Sequence, residues 1–560
     1  MPARLSLLSL AIALMARAAL AAPINDPPLL HPTDPHRFAL GGQAWYPAGY
    51  YPAIGTLTSD QTNYTQYYKD LIDKLAAQGL SYFRNVLTMG QQFGSSIIPY
   101  QRPGPGTAAD GRPKYDITKL NQAHFDYWRD VVTYARSKGI VVQITILDCW
   151  HNKKWITEAS TDIQREWGLK YDFYQGANNV NGIDVAAPAD FVDPTHPVFA
   201  IQKALVEKAV DALGDQPNIV WEVANEATVS YAASGTAWQN QLANAITARE
   251  KAKGFPQHLV MPRDLPNHEM LDHCETDAAK VHAALVTAFS KKQPLISDND
   301  CTTNVWTPAY RRAKAWACLT AGAHIDFFHF NMREATVLAS TDVTDGMRFV
   351  GYTRKLIADL KVNLVGMQPS DNLATKGWCL ARSGDEYIVY LENGGSTKLS
   401  NLPPSYAASW FNPRSGAHQA ASGGPTFTAP DTNDWVLHVV KSVVPPDAGP
   451  TTDSVVDAAM PDAPVPVPDG SGSDGAPADA QAMDGPSQID GPPQIDGQGP
   501  DGPRWDSKDP ADGRASDAAG GEALATLEGG CGCSVVQPQK GWLLTCVALL
   551  LCLGLSRRRR

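Results

Sequence analysis

Apolar and polar positions follow two rhythms along residues 24–365. Short apolar runs of strand length occur at residues 43–49, 81–87, 140–147, 218–224, 258–263, 294–298 and 324–330. Between them, other positions recur at helical spacing. Leu71, Ile72 and Leu75 share one face before Gly79, and Leu120, Trp128, Val131, Val132 and Ala135 share another before Gly139. Ile201, Leu205, Lys208 and Ala212 form a third stretch that closes at Gly214. A glycine just past the last periodic residue is a helix stop signal. Strand and helix signals alternating over this length predict a (β/α)8 barrel, with a doubly wound open sheet as the alternative. No glycine-rich phosphate loop follows any run, which disfavours the open sheet. The eighth strand is expected within residues 266–289.

The rhythm changes at residue 366. Residues 386–391, 407–411 and 434–440 are strands between Gly, Pro and Asn turns, so 366–441 is a small antiparallel, sandwich-like β domain. Residues 442–530 repeat units such as DGPSQIDGPPQIDGQGPDGP. With few apolar side chains, nothing there offsets the entropy of ordering, which predicts a disordered, extended acidic spacer.

The two ends carry address signals. Residues 1–21 have a basic start at Arg4, an apolar stretch at 7–14 and small residues at Ala19-Leu20-Ala21, as a secretory signal does. Arg17 interrupts the apolar run, which argues against a membrane span. Residues 531–560 hold Cys531-Gly532-Cys533, an apolar segment at 541–556, and Arg557 to Arg560. As a helix that segment reaches roughly 24 Å, short of the ~30 Å hydrocarbon core. The arginines favour an orientation with the body outside. The expectation is an exported, monomeric body held at the cell envelope by its tail.

Much of the formal net charge of −11 over 560 residues lies in the spacer. The acidity argues against nucleic acid, which needs a basic face. Of nine cysteines, Cys149, Cys274, Cys301, Cys318 and Cys379 lie in the body, and their odd number leaves at least one without an internal partner. Cys274 with Cys301 is one plausible bridge. No CxxC pair occurs in the body, so no structural zinc is expected, and no cofactor.

Candidate chemistry gathers where barrel enzymes keep it, at the carboxyl ends of strands. Those ends offer Tyr50 and Tyr51, Arg84 and Asn85, Asp148, Trp150 and His151, Asn225 and Glu226, Asp298 and Asp300, and His329 and Asn331. Acids and amides bond hydroxyls and flat rings stack on pyranose faces, so the set suits a carbohydrate. Within WEVANEA, residues 221–227, Glu226 follows an amide at a strand end. A carboxyl group there can protonate a departing glycosidic oxygen, while the amide holds the neighbouring sugar hydroxyl. Glu222 shares the facing direction of Glu226 and is read as a structural group inside the barrel. The rival chemistries fail on spacing. In HEMLDH, residues 268–273, the histidines stand five apart, not the four that one helical face of a zinc peptidase needs. A GxSxG elbow is absent.

FRNV at 83–86, LDCWH at 147–151 and WEVANEA together resemble the clan A superfamily of barrel glycoside hydrolases, over most of residues 40–335. The resemblance implies Glu226 as general acid/base, with Arg84 and His151 at positions the superfamily uses. It also implies a glutamate nucleophile after the seventh strand, where this chain has PLISDND, residues 294–300. Asp298 or Asp300 is the expected substitute, with Asn225, Arg84, His151, Trp150, Tyr51 and His329 binding substrate. The departure keeps a rival open: a glycan-binding or adhesion protein on a barrel without catalysis. WFNPRSG at 410–416 and DWVLHV at 434–439 resemble a module, named for collagen binding, that follows certain such barrels. The ending resembles the myxobacterial C-terminal sorting tail, which implies export, processing near the cysteines and surface display.

Overall fold

The computed structural model describes residues 22–52, 64–88, 98–149, 172–265, 275, 277–299, 307–328 and 338–442, without the side chains of 64, 65, 228–234, 298, 299 and 328. The chain divides into Met1–Pro446 and Asp447–Arg560. All described residues lie in the first unit.

An antiparallel trio comes first: β1 (Leu29–Leu30), β2 (Phe38–Leu40) and β3 (Gln43–Trp45). Then β4 (Ala48–Tyr51), α1 (Tyr64–Ala77) and β5 (Tyr82–Val86) begin the barrel. A hairpin of β6 (Tyr100–Gln101) and β7 (Asp116–Leu120) precedes α2 (Gln122–Ser137) and β8 (Val141–Asp148). The series continues through α3 (Pro197–Leu213), β9 (Ile219–Asn225), α4 (Ala227–Lys253) and β10 (Val260–Met261). It ends with α5 (Ala278–Phe289), β11 (Ile296–Asn299), α6 (Pro308–Thr320), β12 (His324–Phe328) and α7 (Thr341–Asp359).

Seven strands pair in the order β10-β9-β8-β5-β4-β12-β11, all parallel, in a TIM-barrel-like sheet. Among the described residues β10 and β11 are its edges. The expected eighth strand is not among them: residues 278–289 are helix, and 266–274 lie outside the described residues. Three local expectations need correction. Residues 43–49 split into β3 and β4, separated by Tyr46 and Pro47, because proline has no N–H to continue a ladder. Leu120 ends β7 and does not join the face of α2. The buried stripe of α3 is Val198, Gln202, Leu205, Val206, Ala209, Val210 and Leu213, which leaves Ile201, Lys208 and Ala212 on its flank.

Strand alternation sorts the barrel into levels. Val141, Tyr82, Val220, Met261 and Ile296 make an apolar floor inside it, while Val142, Ile144 and Ile146 face the helices. Two residues above the floor the inward positions turn polar, at Arg84, Gln143 and Glu222. The floor is plugged from below by Arg37, which donates to Leu364 O (3.2 Å), Gly322 O (2.7 Å) and Met367 O (3.0 Å).

Beyond α7 lies a six-stranded antiparallel sheet, β13 (Gln368–Pro369), β14 (Trp378–Arg382), β15 (Glu386–Leu391), β17 (Tyr406–Phe411), β18 (His418–Ala420) and β20 (Trp435–Lys441). The pair β16 (Ser396–Lys398) and β19 (Thr426–Thr428) covers one face, with Phe427 among Tyr387, Val389 and Leu437. Alternation along β15 sends Ile388 and Tyr390 to the other face, into the barrel's core cluster. There Trp316 of α6 stacks on Tyr390 at 6.1 Å and 10°. Arg312 Nε donates to Asp434 at 2.7 Å, and His282 of α5 stacks on Trp378 at 5.0 Å while its Nε2 lies 2.9 Å from Asp371. The β sheet is thus a support packed on the barrel.

No helix among the described residues is long and apolar enough to cross a membrane. Residues 1–21 and 443–560, where the leader, spacer and tail are expected, lie outside the described residues, as do Cys274 and Cys301.

Candidate active site

The polar level inside the barrel is built on β5, β8 and β9. Arg84 Nε and Nη2 donate to the two oxygens of Glu222, each at 2.9 Å. Gln143 Nε2 donates to Glu222 Oε2 at 2.7 Å, and the Thr145 hydroxyl donates to the same oxygen. All four side chains are fully buried. A buried carboxylate is tolerated only when paired and hydrogen-bonded, and this one is both. Glu222 is the hub of a structural network. Gln143 and Thr145 carried no expectation from the sequence, although two polar residues at alternate positions of VVQITILD were the available signal.

One step higher the network reaches the strand ends. Arg84 Nη2 also donates to Asn225 Oδ1 at 2.9 Å, and Asn225 Nδ2 donates to Asp148 Oδ1 at 3.0 Å. Asp148 and Asn225 are register partners, so adjacent strands end level with each other. The Tyr51 ring lies against the Arg84 guanidinium, 4.6 Å from Cζ to centroid. Tyr50, next in sequence, points the other way into the helix-facing core, 5.0 Å from Phe327. Burial pushes its phenol well above the usual range. Asn85 is likewise drawn away, donating to the Tyr68 hydroxyl.

Glu226 makes the whole turn between β9 and α4. Its backbone is left-handed, φ 51° and ψ 26°, and it is the N-cap residue of α4. A side chain other than glycine in that region carries strain of about 1–3 kcal/mol, which persists where the surroundings over-determine it. The level has also changed character. Arg84 and Glu222 are 0% exposed, whereas Asp148, Asn225 and Glu226 are 5–6% exposed, so these three stand at the mouth of the buried network.

The remaining candidates divide by placement. Asp298 sits in β11, two positions after the floor residue Ile296 and beside Asp326 in register, and its side chain is outside the described residues. Asp300, Trp150, His151, His329 and Asn331 also lie outside them. The structure therefore brings together Tyr51, Arg84, Asp148, Asn225 and Glu226. Among the described residues no group of three or more His, Cys, Asp or Glu could hold a metal ion.

Residues 51–269 match the Cellulase family, glycosyl hydrolase family 5, a span that runs from Tyr51 through Arg84, Asp148, Asn225 and Glu226. No curated protein matches the chain. Among solved structures, a family 5 glycoside hydrolase from Bacteroides vulgatus ATCC 8482 is similar at 15% identity, covering 75% of this chain and 95% of that one, with a TM-score of 0.49. A candidate glycoside hydrolase from the same strain is similar at 12% identity over 74% of this chain and 82% of that one, with a TM-score of 0.50. The endo-1,4-beta-mannanase of Rhizomucor miehei shares 14% identity over 60% of this chain and 99% of that one, with a TM-score of 0.36. The second likeness shows the fold. The matched span, residues 51–269, supports a glycoside hydrolase family 5 domain, and the chain is a glycoside hydrolase.

Proposed function

We propose that the glycoside hydrolase family 5 domain of this chain cleaves O-glycosidic bonds of a poly- or oligosaccharide with two carboxylates: Glu226 as proton donor, and Asp298 or Asp300 as its partner. The observation that carries the reading is Glu226, held in a left-handed turn at the mouth of the barrel beside an amide anchored at both ends. A glycosidic oxygen leaves poorly as an alkoxide, so a carboxylic acid must deliver a proton as the bond breaks. The partner aspartate then attacks the anomeric carbon or activates water. A separation of about 5–5.5 Å between the carboxyls gives retention, and ~6.5–9.5 Å gives inversion. Aspartate is one methylene shorter than the glutamate of the superfamily, which favours the wider spacing. Tyr51, Arg84, Trp150, His151 and His329 complete the substrate-binding set, Arg84 acting through Asn225 from beneath. No cofactor takes part.

The leader at 1–21, the acidic spacer at 442–530 and the tail at 531–560 support export and display at the cell surface. The body works there as a monomer, held off the envelope by the spacer.

One observation favours a second reading, a glycan-binding protein that has lost catalysis: residues 294–300 contain no glutamate. Incubating the full chain with a panel of β-glucans, mannans and xylans, and measuring reducing ends, separates the two. Release that disappears in Glu226→Gln supports hydrolysis. Binding without release, unchanged in Glu226→Gln, supports the second reading.

A further inference from the structure

We infer that Asp148 is a positioning residue that fixes which group of Asn225 meets the substrate, and through it the demand for a hydroxyl beside the reacting carbon. The inference rests on Glu226 being the proton donor.

The argument begins with the near symmetry of an amide. Its two ends have similar size, and only their hydrogen bonds tell them apart. Arg84 has N–H donors and no acceptor, so the group it meets at 2.9 Å is Asn225 Oδ1. An ionised Asp148 has acceptors and no donor, so the group it meets at 3.0 Å is Asn225 Nδ2. The two neighbours demand the same orientation. Arg84 cannot drift to accommodate another, because both oxygens of the fully buried Glu222 hold it.

A carboxamide has two N–H groups and two lone pairs. Arg84 and Asp148 use one of each, and among the described residues the Asn225 side chain makes no other hydrogen bond. One N–H and one lone pair therefore remain, at a level where the side chains are 5–6% exposed and not sealed. With only the Arg84 contact the amide could tilt about its Cβ–Cγ bond. The second contact, from the register partner on the neighbouring strand, fixes the plane and directs the remaining N–H. The substrate hydroxyl then receives that N–H as an acceptor, in a contact that strengthens as charge develops at the adjacent carbon. A group already locked in this way loses no orientation when the substrate arrives.

The test uses the full chain and five proteins: wild type, Asp148→Ala, Asp148→Asn, Asn225→Ala and Glu226→Gln. Each is assayed on an aryl glycoside that wild type hydrolyses and on its 2-deoxy counterpart. Wild type should prefer the hydroxylated glycoside by on the order of 100-fold, the scale of one well-placed donor. In Asp148→Ala, kcat on the hydroxylated glycoside should fall by about 10-fold or more, KM should move little, and the preference should shrink toward that of Asn225→Ala. Asp148→Asn keeps an acceptor oxygen for Asn225 and should restore most of the preference. Asp148→Ala lowering both rates equally, with the preference intact, overturns the inference while leaving Glu226 as donor. Turnover of an oligosaccharide undiminished in Glu226→Gln instead overturns the donor reading, and the inference with it.

Discussion

Arg84 and Glu222 meet as a two-pronged ion pair, with guanidinium nitrogens 2.9 Å from opposite carboxylate oxygens and no part of either side chain in contact with solvent. The pair is the bridge between the apolar floor of the barrel and the groups at its mouth. Removing one partner strands the other charge in a medium that cannot solvate it. Glu222→Ala should lower unfolding free energy by about 3–5 kcal/mol. Replacing both, as Arg84→Met with Glu222→Met, should recover much of that loss. Urea titrations of the three proteins check this. Such a double variant should still be inactive, because Asn225 loses its anchor.

The turn at Glu226 sets stability against chemistry. Glycine adopts a φ of 51° without steric penalty, and alanine does not. Glu226→Gly should therefore be more stable than Glu226→Ala by about 1 kcal/mol, read as a difference in melting midpoint. Both variants should lose roughly 10²–10⁴-fold in rate on glycans that need a proton donor.

Level with the floor, beside Ile296 in register, His324 makes stability depend on acidity. Burial, and secondarily the charge of Arg37, hold its pKa well below the usual 6.5. The unfolded chain takes up a proton there as pH falls through 6.5, and the folded chain does not. The unfolded state then binds more protons, so stability present above pH 6.5 is lost as pH falls below it, at up to ~1.4 kcal/mol per pH unit. Thermal melts between pH 7.5 and 5 should show this slope, and His324→Phe should flatten it.

Trp316 joins the barrel to the β sheet, stacked on Tyr390 and 5.6 Å from Phe411. One cluster of buried side chains runs through both parts. The body should unfold in a single transition, and Trp316→Ala should lower its stability by about 3–5 kcal/mol without splitting that transition. Two resolved transitions in calorimetry of wild type contradict the shared core.

The alternation of short apolar runs with helical stripes was enough to read a parallel sheet and to set most strands within a residue or two. It could not separate β3 from β4, because a run through Gln43 to Gly49 looks continuous until Pro47 is given its missing N–H. The β domain was legible from its longest strands alone, since two- and three-residue strands such as β13 and β18 carry no periodicity. Glu226 was visible because an amide–acid pair at a strand end is a local pattern. The layer beneath it was not, since Arg84, Gln143, Thr145 and Glu222 are distant along the chain and meet only when three strands pair. Asp148 shows the same limit: its place at a strand end was readable, but its grip on Asn225 is a matter of register.

The account stands most directly on Glu226 as proton donor, and the leaving group tests it. A donor matters when the departing oxygen is a strong base and matters little when it is weak. Rates of wild type and Glu226→Ala should be compared on an oligosaccharide and on a 2,4-dinitrophenyl glycoside of the same sugar. The account predicts a loss of roughly 10²–10⁴-fold on the oligosaccharide and a much smaller loss of bond cleavage on the activated glycoside. An equal loss on both contradicts it.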